Sequence, residues 1–187
     1  KKAARVGSFF VCSAYSIDEP PVTIQQASHL SWKPESYMPY AKNLQEYVKK
    51  YAPQAELVIQ QTWAYRFDDN RLKSWKMSQR EMFDKLVDAY DQAAAGLGIR
   101  LIPTGEAVQL ARETQPVKYV EYDREALKSL KYPDPLPSEA GSFAVGMSWG
   151  SRKNKATGEN ERYIYNDPAH LNDRGRYLQA CVWYGFF

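Results

Sequence analysis

The chain has 187 residues, 44% of them hydrophobic and 25% charged, with a formal net charge of +3. That length suits one domain over 1–187, with a core burying roughly 70% of the unfolded surface, and the mixture is ordinary for a globular protein. The basic residues are scattered and their short runs are broken by polar and acidic neighbours, which argues against nucleic acid as a partner, and no apolar run approaches the roughly 20 residues of a membrane span.

In chain order, SFFVCSAYS (8–16) looks like a strand ending in small residues, inside an atypical start that covers 1–21. VTIQQ (22–26) is a β-branched run and reads as a buried strand. SYMPYAKNLQEYVKKYAP (36–53) carries Tyr40, Leu44, Tyr47, Val48 and Tyr51 at helical spacing, with Pro53 as the stop. AELVIQQTWAY (55–65) is a second strand, followed by the polar loop RFDDNRLKSWK. Ser78 with Glu81 forms a capping box ahead of the helix QREMFDKLVDAYDQAAAGLG, whose apolar face is Met82, Leu86, Val87, Tyr90 and Ala94 and which ends at Gly96 or Gly98. IRLIP (99–103) is a third strand and TGEAVQLARE (104–113) a third helix. A Gly-, Pro- and Ser-rich excursion follows, in which FAVGMSWG and ERYIYN pair as a hairpin turned at TGEN. The last helix runs from about Leu171 to Tyr184. Strands alternating with helices predict a parallel sheet with right-handed crossovers.

Fourteen Tyr and five Trp exceed what a core needs; they suit either sugar-binding clefts and interfaces or a Tyr-rich extracellular surface. The two cysteines, Cys12 and Cys181, form no CxxC and no Cys/His cluster, so no metal site is expected. Cys181 reads as a buried thiol on the apolar face of the last helix, and a Cys12–Cys181 disulfide stays open. Neither GxGxxG nor GxxxxGK[ST] occurs, so no nucleotide cofactor is expected. No signal peptide is visible, as holds for any mature chain. The oligomeric state is not legible.

Ligands of open parallel sheets bind beyond the carboxyl ends of the strands. Three loops qualify: QASHLSW with His29, TWAYR with Trp63 and Tyr65, and TGEA. The other histidine, His170, stands three residues after Asp167 in NDPAHLNDRG. Pro168 holds Asp167 extended, and its carboxylate can reach the imidazole Nδ1–H from a tight loop, which leaves Nε2 free to accept a proton. From these residues alone two readings stay open: two members of a hydrolytic triad, or a carboxylate capping a loop beside an exposed histidine.

VTIQQASH and NDPAHLNDRGRYL resemble the third and last blocks of the SGNH (GDSL-type) hydrolases. The nearest likeness is to an SGNH-like branch carrying VTIQQxSH, APxAxLVxxxTWAY and DxxHLNxxGxYL in this order, and it covers residues 22–187. The resemblance implies a three-layer α/β/α sandwich with a flavodoxin-like parallel sheet, and hydrolysis of acyl or acetyl esters of carbohydrates or other small-molecule esters. It makes His170 the base and Asp167 its orienting acid. It puts an oxyanion donor at Gln26, Ser28 or His29, with His29 preferred. Trp63 and Tyr65, after the second strand, can wall the cleft, with Trp63 either stacking on a sugar ring or packing over the sheet edge. The resemblance points towards a periplasmic or extracellular location, with the cytoplasm as the alternative. Residues 1–21 contain neither Gly-Asp-Ser nor Gly-Asn-Ser, the block that bears the family's nucleophile. The usual amino-terminal third is therefore either missing or altered, and the nucleophile is Ser13, after the apolar run FFVC, or a serine outside the chain. Ser8 precedes that run, on the wrong side for a parallel strand. The alternative function is a non-catalytic relative that binds carbohydrate or a protein partner through its aromatic rim.

Overall fold

The computed structural model describes residues 21–187 with their side chains, and residues 2–6 and 9–13 as backbone strands. Five strands form one sheet in chain order: β1 (Lys2–Val6), β2 (Phe9–Ser13), β3 (Val22–Gln26), β4 (Leu57–Gln60) and β5 (Arg100–Ile102). β3, β4 and β5 are parallel, with Ile24 opposite Ile59 and Val58 opposite Arg100. The expected parallel sheet is present in these three strands. β1 and β2 extend it as an antiparallel hairpin, with Phe9 opposite Gln26 and Ser13 opposite Val22.

The crossovers are α1 (Tyr40–Tyr51) and, after the short α2 (Asn70–Ser74), α3 (Gln79–Leu97). Ala41, Leu44 and Val48 of α1 and Leu86, Ala89, Tyr90 and Ala93 of α3 close over Ile24, Leu57 and Ile59. Each such fully buried Leu or Ile stabilises the fold by about 1.5–3 kcal/mol. Side chains alternate across a strand, so Val58 and Ile102 face the other way, and both are fully buried. On that side α6 (Asp173–Phe186) lies along α4 (Thr104–Thr114) and against β5. Helix, sheet and helix thus make a mixed α/β sandwich.

The capping box forms as the sequence predicts. The Ser78 hydroxyl accepts from Glu81 N–H at 3.1 Å, and the Glu81 carboxylate accepts from Ser78 N–H at 2.7 Å. Gly98, at φ 62°, ends α3. α1 starts four residues later than expected, because Pro34–Ser36 forms a 3-10 turn and Pro39 becomes its cap. Tyr47 and Tyr51 do not join the buried stripe; they face solvent, with ring centroids 4.5 Å apart.

After α5 (Arg124–Leu127), β6 (Ala144–Lys153) and β7 (Asn160–Leu171) make the expected hairpin, which forms a separate two-stranded sheet. β7 runs on through NDPAHL, which the sequence reading assigns to a loop. α6 buries little beyond Gly175 and part of its Leu178 edge, and Cys181 is exposed rather than buried. A pairing with Cys12 lies outside the described side chains. Among the described residues no helix is long and apolar enough to cross a membrane.

Candidate active-site cleft

Beyond the carboxyl ends of β3 and β4 lies a cleft of about 330 Å³. Ser28, His29, Trp63 and His170 all line it, with Thr62 and Ala169. Residues far apart in the chain therefore meet at one rim, which is where parallel sheets place ligands.

The position of His170 follows from a bulge in the hairpin. Gly146 is opposite Asp167 and Ala144 is opposite Leu171, so Val145 alone faces the three residues 168–170. The extra backbone kinks outward, as bulged strands do near functional sites. Its polar groups are collected by the segment after β4: Arg66 N–H donates to Pro168 O at 3.0 Å, and the Trp63 indole N–H donates to Ala169 O at 2.7 Å. These two bonds fix the bulge to the sheet rim. Gly146 sits at φ 72°, where a Cβ would meet the Glu139 carboxylate at 2.1–2.4 Å.

Asp167 organises the turn. Its Oδ1 accepts from Ala169 N–H at 3.1 Å and from His170 N–H at 3.0 Å, and its Oδ2 lies 2.7 Å from His170 Nδ1. An ionised carboxylate only accepts, so the contact places the ring proton on Nδ1 and the lone pair on Nε2. Burial pushes the Asp167 carboxyl up, but the His170 amide and ring and the Ala169 amide outweigh it and hold it below the usual carboxylate range. The His170 side chain is 78% exposed and Asp167 only 13%, so the ring stands at the mouth of the cleft on a half-buried base. Nε2 has no hydrogen-bond partner among the described residues.

The other predicted residues divide. His29 is exposed on the cleft wall and hydrogen-bonds to nothing among the described residues. Ser28 lies 2.8 Å from the Tyr65 hydroxyl. Arg71 donates to that phenol oxygen at 3.2 Å, so the phenol proton is free to point at Ser28 Oγ. Gln26 faces the wrong way for an oxyanion donor: it is fully buried on the α1–α3 side, donates to Ser36 O at 2.9 Å and accepts from Ala27 N–H. Tyr65 is also buried, beside Trp75 and Met82, and does not wall the cleft. Trp63 does line it, with its indole N–H already committed. Ser13 fails on direction. Because β2 is antiparallel to β3, Ser13 lies opposite Val22, at the end of the sheet remote from the cleft. A strand-end serine reaches the ligand rim only on a strand parallel to its neighbours.

The cluster beneath the bulge carries almost no local sequence signal. RFDDN looks like a solvated loop, yet Arg66, Asp68 and Asp69 are buried. Arg66 grips Asp68 with two parallel bonds of 2.6 and 2.8 Å, donates to Ser142 at 3.0 Å and pairs with Glu139. Asp69 caps α2 through Arg71 N–H at 2.8 Å. Removing one member of a buried pair costs about 3–5 kcal/mol, so this cluster holds the site's frame. The Arg-x-Asp spacing was the one available signal. At the other edge Gly105 lets α4 approach β4, since a Cβ there would stand 2.1 Å from Thr62 O.

Comparison with known proteins sets this geometry in a family. No curated protein matches the chain. A DUF4886 family protein from Bacteroides uniformis ATCC 8492 is 27% identical with a TM-score of 0.56, over 87% of this chain and 48% of its own. A candidate SGNH hydrolase from Slackia heliotrinireducens is 21% identical with a TM-score of 0.51, over 86% of this chain and 61% of its own, a likeness of fold. The chain thus spans less than two thirds of either structure. Residues 15–132, more than half of the chain, match DUF4886, described as a domain of unknown function, and the chain belongs to that family.

Proposed function

We propose that the cleft is an SGNH-like ester-hydrolase site for acyl or acetyl esters of carbohydrates, working in the periplasm or outside the cell. The observation that carries this is the 2.7 Å contact between Asp167 and His170 Nδ1, which leaves Nε2 as an acceptor at the cleft mouth. In this reading His170 takes the proton of the attacking hydroxyl, and Asp167 fixes the tautomer and stabilises the imidazolium. In the same reading His29 and Ser28, which line the cleft, donate to the developing oxyanion, a role worth about 3–4 kcal/mol per donor. Trp63 offers a ring face to a sugar. No serine hydroxyl meets His170 among the described residues, so the attacking group is water or a serine outside them.

A second reading draws on that same open ring: a non-catalytic relative that holds carbohydrate or a protein partner on the Trp63 rim. Hydrolysis of p-nitrophenyl acetate by wild type and His170→Ala decides between them. The hydrolase reading expects a loss of about 10²–10⁴-fold in the variant. Equal rates refute it and leave the binding reading, which fails in turn if Trp63→Ala changes no glycan contact.

A further inference from the structure

A second cleft, of about 270 Å³, lies on the α4 side of the molecule, lined by Arg66, Arg112, Lys118, Phe67, Tyr119 and Phe143. Three cations share its wall. Arg66 has carboxylate partners in Asp68 and Glu139. Lys118 is an exposed ammonium already spent on the backbone carbonyls of Arg112 and Glu113 at the end of α4. The one acid on the wall, Glu113, accepts from Arg80 at 3.1 Å and from Gln109 at 2.7 Å.

Arg112 is different. One of its guanidinium nitrogens donates to Ala64 O at 2.7 Å, and no carboxylate pairs with it among the described residues. Burial, and then the neighbouring Arg66, push its pKa down to about 10, so it is cationic at neutral pH without an anion. Arg112 is partly exposed in the cleft wall, so a ligand can reach it, and the guanidinium fork matches a carboxylate in two parallel bonds. Around it the wall is aromatic. Phe67 and Tyr119 touch, with centroids 5.7 Å apart, Arg66 stacks on Tyr119 at 3.8 Å, and the buried Phe143 also lines the cleft. A cleft with apolar walls and one convergent charge takes a small ligand with an apolar body and a single anionic group.

We propose that this cleft binds a carboxylate carried on a planar ring, with the carboxylate on Arg112 and the ring against the aromatic side chains of the wall. The site is distinct from the His170 cleft and does not depend on the hydrolytic reading. Arg112 holds the carbonyl of Ala64, which is next to Trp63 of that other cleft.

The test is a titration followed by ¹H–¹⁵N NMR with three probes: benzoate, its neutral isostere benzamide, and inorganic phosphate. Benzoate is expected to shift amides in residues 112–119 and 141–143, and to bind wild type about ten- to a hundredfold more tightly than benzamide, the size of a lost charged hydrogen-bond pair. Arg112→Gln should lose that preference, and Arg112→Lys should recover part of it, because a lysine supplies charge without the fork. Equal binding of benzoate and benzamide to wild type overturns the proposal. Tighter binding of phosphate, or shifts confined to other residues, overturns it too. The wild-type comparison stands even if a variant fails to fold.

Discussion

Asp167 makes two kinds of contact, and two substitutions separate them. Its Oδ1 supports the bulge through the amides of Ala169 and His170, and its Oδ2 sets the His170 ring. Asp167→Ala removes both. Two hydrogen bonds to a half-buried charged acceptor are worth about 2–3 kcal/mol together, and the contact with the exposed imidazole adds less than about 1 kcal/mol. With a urea m-value of about 2 kcal/mol/M, the midpoint should fall by about 1–2 M. Asp167→Asn keeps an acceptor for the two amides, so its midpoint should fall by about half as much or less. Its amide NH₂, however, donates to Nδ1 and forces the ring proton onto Nε2. The base is then in the wrong tautomer, and esterase activity should drop by about 10²–10⁴-fold while the protein stays folded. The assays are urea unfolding followed by tryptophan fluorescence and p-nitrophenyl acetate hydrolysis on the same samples. If the two variants lose stability equally, or if Asp167→Asn retains full activity, the division of labour between the two oxygens is wrong.

Acid should weaken the fold through the same carboxylate and through Asp68. In Asp68 burial raises the pKa, but the Arg66 bonds outweigh it, and the net direction is down, as in Asp167. A depressed folded-state pKa gives stability that is complete above the unfolded value of about 3.9 and is lost as pH falls through the folded values. Unfolding free energy should be level from pH 7 to about 5 and decline below about 4, less steeply in Asp167→Asn; a profile independent of pH down to 3 contradicts this. Gly146→Ala puts a Cβ into the Glu139 carboxylate at a backbone φ of 72°. The expected loss is about 1–3 kcal/mol, or several degrees in Tm for a chain of this size, and an unchanged melt would show that the bulge does not need this geometry.

The elements that position the cleft were legible where local signals agree with tertiary demand. Ser78 and Glu81 form their box, Gly98 takes the left-handed cap, and VTIQQ is a strand because its β-branched residues suit a surface covered on both faces. Tyr47 and Tyr51 show where periodicity misleads: they keep helical spacing with Leu44 and Val48, but a phenol ring satisfies the spacing as well in water as in the core. The gathering of His29, Ser28, Trp63 and His170 followed from one rule about strand ends, since three of them succeed parallel strands. Ser13 shows the limit of that rule, because strand direction is set by pairing, and SFFVC reads alike in either direction.

The bulge was the least legible feature. D-P-A-H looks like a loop because Pro168 removes a donor and Asp167 caps, and nothing local reveals that Ala144 will pair with Leu171 around it. What converts this stretch into a strand is supplied from 106 residues away, where Trp63 takes the carbonyl of Ala169, with Arg66 taking that of Pro168. The guanidinium of the same residue, whose backbone N–H holds Pro168, anchors Asp68, Ser142 and Glu139. One arginine in an ostensibly polar loop thus ties the sheet rim to both strands of the hairpin. A short motif can specify that Asp167 holds His170, but only this buried charge cluster specifies where the pair stands. Substitutions at Arg66 should therefore abolish the cleft as a whole, whereas substitutions at Asp167 change what it does.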